Sequence, residues 1–415
     1  MKIRNIEGGV NAAKGFQAAH CAAGIKYTGR DDMAMVFSQA PCRCAGTFTS
    51  NRVKAAPVLW DQALVAGGQP VRAVVVNAGI ANAATGEAGM ALCRASAACA
   101  AEALGIPADS VLLGSTGVIG PTPPLDRISE GILRMAFSLS GSPEAATAAS
   151  RAIMTTDTVN KEFALAFELP SAAGGDPVTV HLGGMSTGSG MIHPNMCTML
   201  AYLTTDCAIS SDLLQRALRD VVQDTFNMIS VDGDTSTNDT LLILANGLAG
   251  NAEIREENGN YGLFREALFT LCRQLAMKMA GDGEGATRLI QMRVYGADTK
   301  ENARVLARSV VSSSLVKAMV FGKDANCGRI LCALGYAGPD FDPSRLDLFL
   351  EGPEERLCFC REGCVLDFDE EKALALLSGD AVCFSCDMKM GSEEATAWGC
   401  DLTYDYVRIN GDYRS

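Results

Sequence analysis

The chain has 415 residues, 48% of them hydrophobic, and a formal net charge of -13. That length gives core enough for two or three domains or one large composite one. The basic residues form no block, which argues against nucleic acid as a partner. No run of about 18 apolar residues marks a membrane span, and Met1 to Gly9 lacks the apolar stretch of a secretory signal, so the cytoplasm is the expected compartment.

Sixteen cysteines need an explanation. Cys93, Cys99, Cys207, Cys272 and Cys332 lie in apolar runs, where cysteine serves as a small core hydrophobe. Cys383 and Cys386 have the spacing of half a zinc site, but Cys358 and Cys360 are separated by one residue and alternate as in a strand. No metal is expected.

In chain order, strands alternate with helices, which points to an α/β or α+β class. Residues 34–38 and 44–49 are short strand-like runs. Val71 to Asn77 reads as a buried strand ending in a turn at Gly79, and residues 88–104 as an Ala-rich helix stopped by Gly105 and Pro107. Val111 to Gly120 is a strand opening into small residues, Gly114, Ser115, Thr116 and Gly117. Backbone can approach a ligand closely there, although spacing alone favours a plain turn. Ser142-Pro143 starts a helix. It leads to Met154-Thr-Thr-Asp157, which can bind a small polar ligand or satisfy a helix end. Phe163 to Leu169 and Val178 to Leu182 form a hairpin.

Glycines at 183, 184, 188 and 190 then lead into Met191-Ile-His-Pro-Asn-Met-Cys-Thr198 and a strand to Leu203. Asp212 to Ile229 carries the stripe of an amphipathic helix. Asp232, Asp234 and Asp239 lack the spacing of a calcium loop and read as a solvated or locally hydrogen-bonded turn before the strand Thr240 to Ala245. A helix spans Leu263 to Ala280, a tight loop Gly281 to Gly285, and a strand Arg288 to Tyr295. One helix spans Lys300 to Val320. A polar loop, Phe321 to Ile330, precedes another strand, and strands with one helix follow Arg345. Thr403 to Ile409 alternates like a strand. No linker is evident, so the chain is expected to pack as one composite unit.

Histidines number three, and no Gly-x-Ser-x-Gly elbow, Walker loop or dinucleotide fingerprint occurs. An N-terminal threonine freed by cleavage needs no histidine, because its own α-amine can take the hydroxyl proton. Cys197 is small enough to precede such a bond, and the surrounding glycines give the backbone freedom.

The chain resembles the glutamate N-acetyltransferase / ornithine acetyltransferase family of arginine biosynthesis nearly end to end. The resemblance is carried by Thr49-Ser-Asn-Arg-Val-Lys-Ala-Ala-Pro-Val58, Gly114-Ser-Thr-Gly-Val-Ile-Gly120, Met154-Thr-Thr-Asp157, Gly190-Met-Ile-His-Pro-Asn-Met-Cys-Thr-Met-Leu200, Ser230-Val-Asp-Gly-Asp-Thr-Ser-Thr-Asn-Asp239, Gly283-Glu-Gly-Ala-Thr287 and Tyr406 to Ser415. It implies an α/β fold of layered β-sheets sandwiched between helices. It also implies self-cleavage between Cys197 and Thr198 into an α chain (1–197) and a β chain (198–415). Thr198 is then the nucleophile, carrying an acetyl group from N-acetylornithine to glutamate by a ping-pong route, and Thr116 and Gly117 form the oxyanion hole. Substrate-binding positions are Thr155 and Thr156, Thr187, Glu284, Asn410 and Ser415. No cofactor or metal is implied, acetyl-CoA is a possible donor, and the αβ units are expected to form an oligomer.

Four positions depart from the family's pattern. Thr187 replaces a lysine of the substrate site, Cys197 an alanine and Cys327 a tryptophan, and the Asn82-Ala-Ala-Thr-Gly86 run is altered. Thr187 leaves open a second reading, a divergent N-terminal-threonine acyltransferase or amidohydrolase acting on another acyl amino acid. A silent protein that keeps the fold is the third.

Overall fold

The computed structural model describes residues 3–193 and 199–412. The chain divides into two compact units rather than the single one expected. The first comprises residues 1–188, 194–223 and 235–275; the second comprises 189–193, 224–234 and 276–415.

In the first unit the strands are β1 (Arg4–Ile6), β2 (Phe16–Cys21), β3 (Met33–Phe48), β4 (Val71–Ile80), β5 (Val111–Val118), β6 (Lys161–Leu169), β7 (Val178–Thr187) and β8 (Leu200–Thr205). β9 (Ile229–Ser230) belongs to the second unit, and β10 (Thr240–Ala245) returns to the first. Long β3 serves two sheets. Its Arg43–Phe48 end pairs antiparallel with β10, which runs parallel to β8 and leads on to β7, β6 and β1; its earlier part pairs with β2 and β4, and β4 runs parallel to β5.

The two sheets face each other across an apolar core. Val36, Val74, Val76 and Leu112 come from one sheet, and Met185, Leu200, Tyr202, Leu242 and Leu244 from the other, in the period-2 alternation of strands with one face turned inward. Helices α1 (Ala56–Gly67), α2 (Gly86–Leu104), α3 (Leu125–Phe137), α4 (Pro143–Ala152), α5 (Ser211–Gln223) and α6 (Gly259–Gly281) accompany them. Leu92, Ala97, Ile128 and Ile132, from α2 and α3, cover Met33, Met35, Val75 and Leu113 on the outer face of the β3–β4–β5 sheet. Phe264 of α6 meets Phe167 of β6 edge to face, with ring centroids 6.5 Å apart. The result is the layered α/β architecture expected, β-sheets between helices.

In the second unit a sheet runs β14 (Cys364–Val365), β13 (Arg356–Arg361), β12 (Asp347–Glu351), β15 (Ala381–Asp387), β11 (Leu289–Ala297), β16 (Glu393–Cys400), β9. Cys358 and Cys360 lie in β13, as their alternation suggested. Its helices are α7 (Lys300–Ser312), α8 (Ser314–Gly322), α9 (Cys327–Gly335), α10 (Glu370–Leu377) and α11 (Tyr404–Gly411).

Three expectations change here. The single helix over Lys300 to Val320 is two, because Ser313 is extended and its hydroxyl caps α8 by accepting from the Val316 amide. The strand expected after Phe321 to Ile330 is α9, with Ile330, Ala333 and Leu334 buried at helical spacing. Thr403 to Ile409 is not a strand. Thr403 accepts from the Asp405 amide and starts α11, none of whose residues is buried, so its alternation reports no core face. Among the described residues no single helix is long and apolar enough to cross a membrane.

Candidate active site

Cys197, Thr198 and Ser415, the expected cleavage pair, nucleophile and C-terminal ligand, lie outside the described residues. The strand that Thr198 leads into is described. Leu200 opens β8, paired with Thr187 of β7 on one side and Thr240 of β10 on the other, and the Thr240 amide donates to the Met199 carbonyl at 2.7 Å.

β5 is pressed onto this strand. A Cβ on Gly114 would collide with the Tyr202 hydroxyl, so only glycine lets β5 come so near β8. Ser115, Thr116 and Gly117 follow, paired with Asn77, Ala78 and Gly79 of β4. Gly117 adopts φ +124°, and a Cβ there would strike the Gly79 backbone. The run is therefore a tightly packed strand end and not the plain turn that spacing favoured. Thr116 is half-buried. Asn238 ties the start of β10 to β5: its Nδ2 donates to the carbonyls of Ser115 at 2.7 Å and Ala81 at 2.6 Å, and its Oδ1 accepts from Thr237 Oγ1 at 2.6 Å. Beside it, Asp239 is 1% exposed. Burial pushes its pKa well above the usual carboxylate range.

The other first-unit candidates converge on Asp157. Its Oδ2 accepts from the Thr155 amide at 3.0 Å and from Thr187 Oγ1 at 2.8 Å; its Oδ1 accepts from Lys161 Nζ at 2.5 Å and the Gly188 amide at 2.9 Å. Burial alone would raise the Asp157 pKa. The Lys161 ammonium and the donors from Gly188 and Thr155 outweigh it and hold the carboxyl below its ordinary value. Thr187 is buried; Thr155 and Thr156 are half-exposed. The glycines at 183 and 184 are not a loose approach. They lie inside β7, where a Cβ would meet the Gly9 carbonyl or Leu203.

In the second unit, Glu284 is 5% exposed and its Oε2 accepts from Asn410 Nδ2 at 2.6 Å, so these two expected positions do meet. A Cβ on Gly190 would collide with the Glu284 carboxylate, and the Glu284 amide donates to the Ser189 carbonyl at 3.0 Å. Asp232 is more than a local turn residue: it accepts from the Met191 amide at 2.6 Å, the Ile192 amide at 2.9 Å and the Tyr406 hydroxyl at 3.2 Å. His193 Nδ1 lies 3.0 Å from Ser230 Oγ, and burial, with Arg308 and Lys317, brings its pKa down to about 4. Asn238, Lys161 and Asp232 were not among the expected site residues; Asn238 and Asp232 lie within the quoted Ser230 to Asp239 motif, and Lys161 lies in none. Burial pushes the thiols of Cys21 to about 11 and Cys93 to about 12, values of core thiols rather than nucleophiles.

Comparison with known proteins agrees with the motif resemblance. The family model described as "ArgJ family" matches residues 17–415. The arginine biosynthesis bifunctional protein ArgJ of Symbiobacterium thermophilum is 50% identical over 412 residues, 99% of either chain. Its namesake ArgJ 1 of Clostridium acetobutylicum is 47% identical over 400 residues, 96% of either chain. The solved ornithine acetyltransferase of Mycobacterium tuberculosis, complexed with ornithine, is 40% identical and covers 47% of this chain and 99% of its own, with a TM-score of 0.42. With such identity sustained over almost its whole length, the chain belongs to the ArgJ family, whose curated members are named arginine biosynthesis bifunctional proteins.

Proposed function

We propose that the chain is a glutamate N-acetyltransferase of the ornithine acetyltransferase type, moving acetyl from N-acetylornithine to glutamate through Thr198. The observation that carries this reading is the framework around β8. Gly114 closes on Tyr202, and Asn238 grips the Ser115 carbonyl, which packs the strand that carries Thr116 and Gly117 against β8.

Self-cleavage comes first. Thr198 Oγ bonds to the Cys197 carbonyl carbon, the C–N bond breaks, and the hydroxyl proton passes to the freed amine. Water then hydrolyses the ester, leaving a Cys197 carboxylate, an α chain of residues 1–197 and a β chain of 198–415. The new α-amine, with an ordinary pKa of about 8, takes the Thr198 hydroxyl proton as Oγ attacks the acetyl carbonyl of N-acetylornithine. The Thr116 hydroxyl and Gly117 amide donate to the oxyanion; losing one such donor costs about 10²–10³ in rate. Ornithine leaves with the proton, and the acetyl group stays on Thr198 as an ester. The glutamate amine attacks that ester and departs as N-acetylglutamate, restoring the hydroxyl. The substrate-binding positions that the resemblance implies are Thr155 and Thr156 in the first unit and Glu284, Asn410 and Ser415 in the second, where the Glu284 carboxylate accepts from Asn410 and carries the charge suited to an ammonium. This chemistry uses no metal or cofactor. Acetyl-CoA is a second donor, and the αβ units assemble as an oligomer in the cytoplasm.

The test is a Thr198→Ala variant beside the wild type. The variant should stay intact and transfer no acetyl; a variant that still splits or still transfers would sink the mechanism. A second reading, another acyl amino acid as substrate, is favoured by one observation: Thr187 is neutral and its hydroxyl is already engaged by Asp157. Assaying glutamate, water and other amines as acceptors separates the two.

A further inference from the structure

The hydrogen-bonding capacity of the Asp157 carboxylate is directed inward. The side chains of Asp157 and Lys161 are both 0% exposed, and four donors from two distant chain segments, 155–161 and 187–188, fill the two oxygens. Thr187 is 3% exposed, and the one proton of its hydroxyl goes to Asp157. A hydroxyl spent this way has no proton left to give a ligand. We propose that Asp157, with Lys161 as its buried counter-ion, is the positioning residue of the first unit's substrate positions, and that Thr187 acts through Asp157 rather than on the substrate. The carboxylate fixes the separation between the Thr155–Thr156 turn and the end of β7, so the half-exposed threonines keep one presentation. The charge of Lys161 is matched by Asp157 at 2.5 Å and serves to keep that carboxylate ionised.

This inference rests on the acetyl-transfer reading, and its experiment separates the two. Removing one partner of a buried ion pair can unfold a protein, so the variants are Thr187→Val, Thr187→Ser and the apolar pair Asp157→Leu with Lys161→Met. Each is assayed for both half-reactions, and amide exchange is followed at Thr155 and Gly188. Thr187→Val should lower kcat/KM by about 10-fold for donor and acceptor alike, the scale of a hydrogen bond to a charged acceptor, and should speed exchange at both amides. Thr187→Ser should restore both. In the Asp157→Leu/Lys161→Met background, Thr187→Val should cost nothing further. A rise in KM for one substrate alone, an undiminished loss in that background, or unchanged amide exchange would overturn the positioning role while leaving the acetyltransferase intact. A wild type that transfers no acetyl would refute the functional reading, and the exchange measurement would still decide the role of Asp157.

Discussion

Replacing Asn238 by alanine probes how β5 is held. The side chain is 7% exposed and donates two hydrogen bonds, to Ser115 and Ala81. Each is worth about 1 kcal/mol net, and a carbonyl left buried without its donor costs about 1–3 kcal/mol. The two together put the loss at about 2–4 kcal/mol. The assay follows from the structure. The chain has two tryptophans, one in each unit, and Trp60 Nε1 donates to the Val111 carbonyl of β5 at 3.0 Å. In a Trp398→Phe background, Trp60 fluorescence against urea therefore reports on β5 itself. Asn238→Ala should shift this transition to lower urea by the amount above and cut acetyl transfer by at least about tenfold, because Thr116 and Gly117 follow the freed carbonyl. Asn238→Asp keeps the shape but offers two carbonyls a carboxylate that cannot donate, and it should be no better than alanine. A loss below about 0.5 kcal/mol, the level of ordinary surface substitutions, with transfer unchanged, would refute the claim that Asn238 holds β5.

Gly117→Ala combines a φ of +124° with a collision against Gly79, and should cost about 1–3 kcal/mol for the backbone alone and abolish transfer; wild-type activity in that variant would contradict the packing of β5 on β4. Gly190→Ala should push the Glu284 carboxylate off Asn410 and raise KM for the amino-acid substrates with the Trp60 transition unmoved, as kinetics and urea titration will show. His193 takes up its proton at about 4 in the fold, against 6.5 unfolded. The unfolded chain therefore binds more protons in that window. Stability contributed by neutral His193 is complete above the unfolded value and falls as pH drops from 6.5 towards 4. His193→Gln should flatten that slope in urea midpoints measured across the window; an unchanged slope would place the acid sensitivity elsewhere.

Two glycines of a motif that carries the resemblance prove to be packing devices, although spacing alone read their run as a plain turn. Gly114 and Gly117 are glycine because neighbouring atoms leave no room for a Cβ. The β6–β7 hairpin and α5 were readable because each turns one face to a core, which gives a period to see. The misreadings came where that period fails. α11 buries no residue, so its alternating Tyr404, Tyr406 and Arg408 reported no inward face, and the capping hydroxyl of Thr403 was the signal to weigh. Ser313 interrupts an apolar pattern that runs straight through it. Asp232 read as a turn carboxylate, and Asp157 as one of a polar run or a helix end, because the Ile192 amide and the Thr187 hydroxyl that donate to them lie 40 and 30 residues away, a distance no local pattern spans.

The most direct test of the account is the intact mass of the folded, purified protein before and after incubation with N-acetylornithine. Two chains are expected, residues 1–197 and 198–415, with the second one acetyl group heavier after incubation and returned to its first mass by glutamate. A single chain of 415 residues that gains no acetyl group would contradict it.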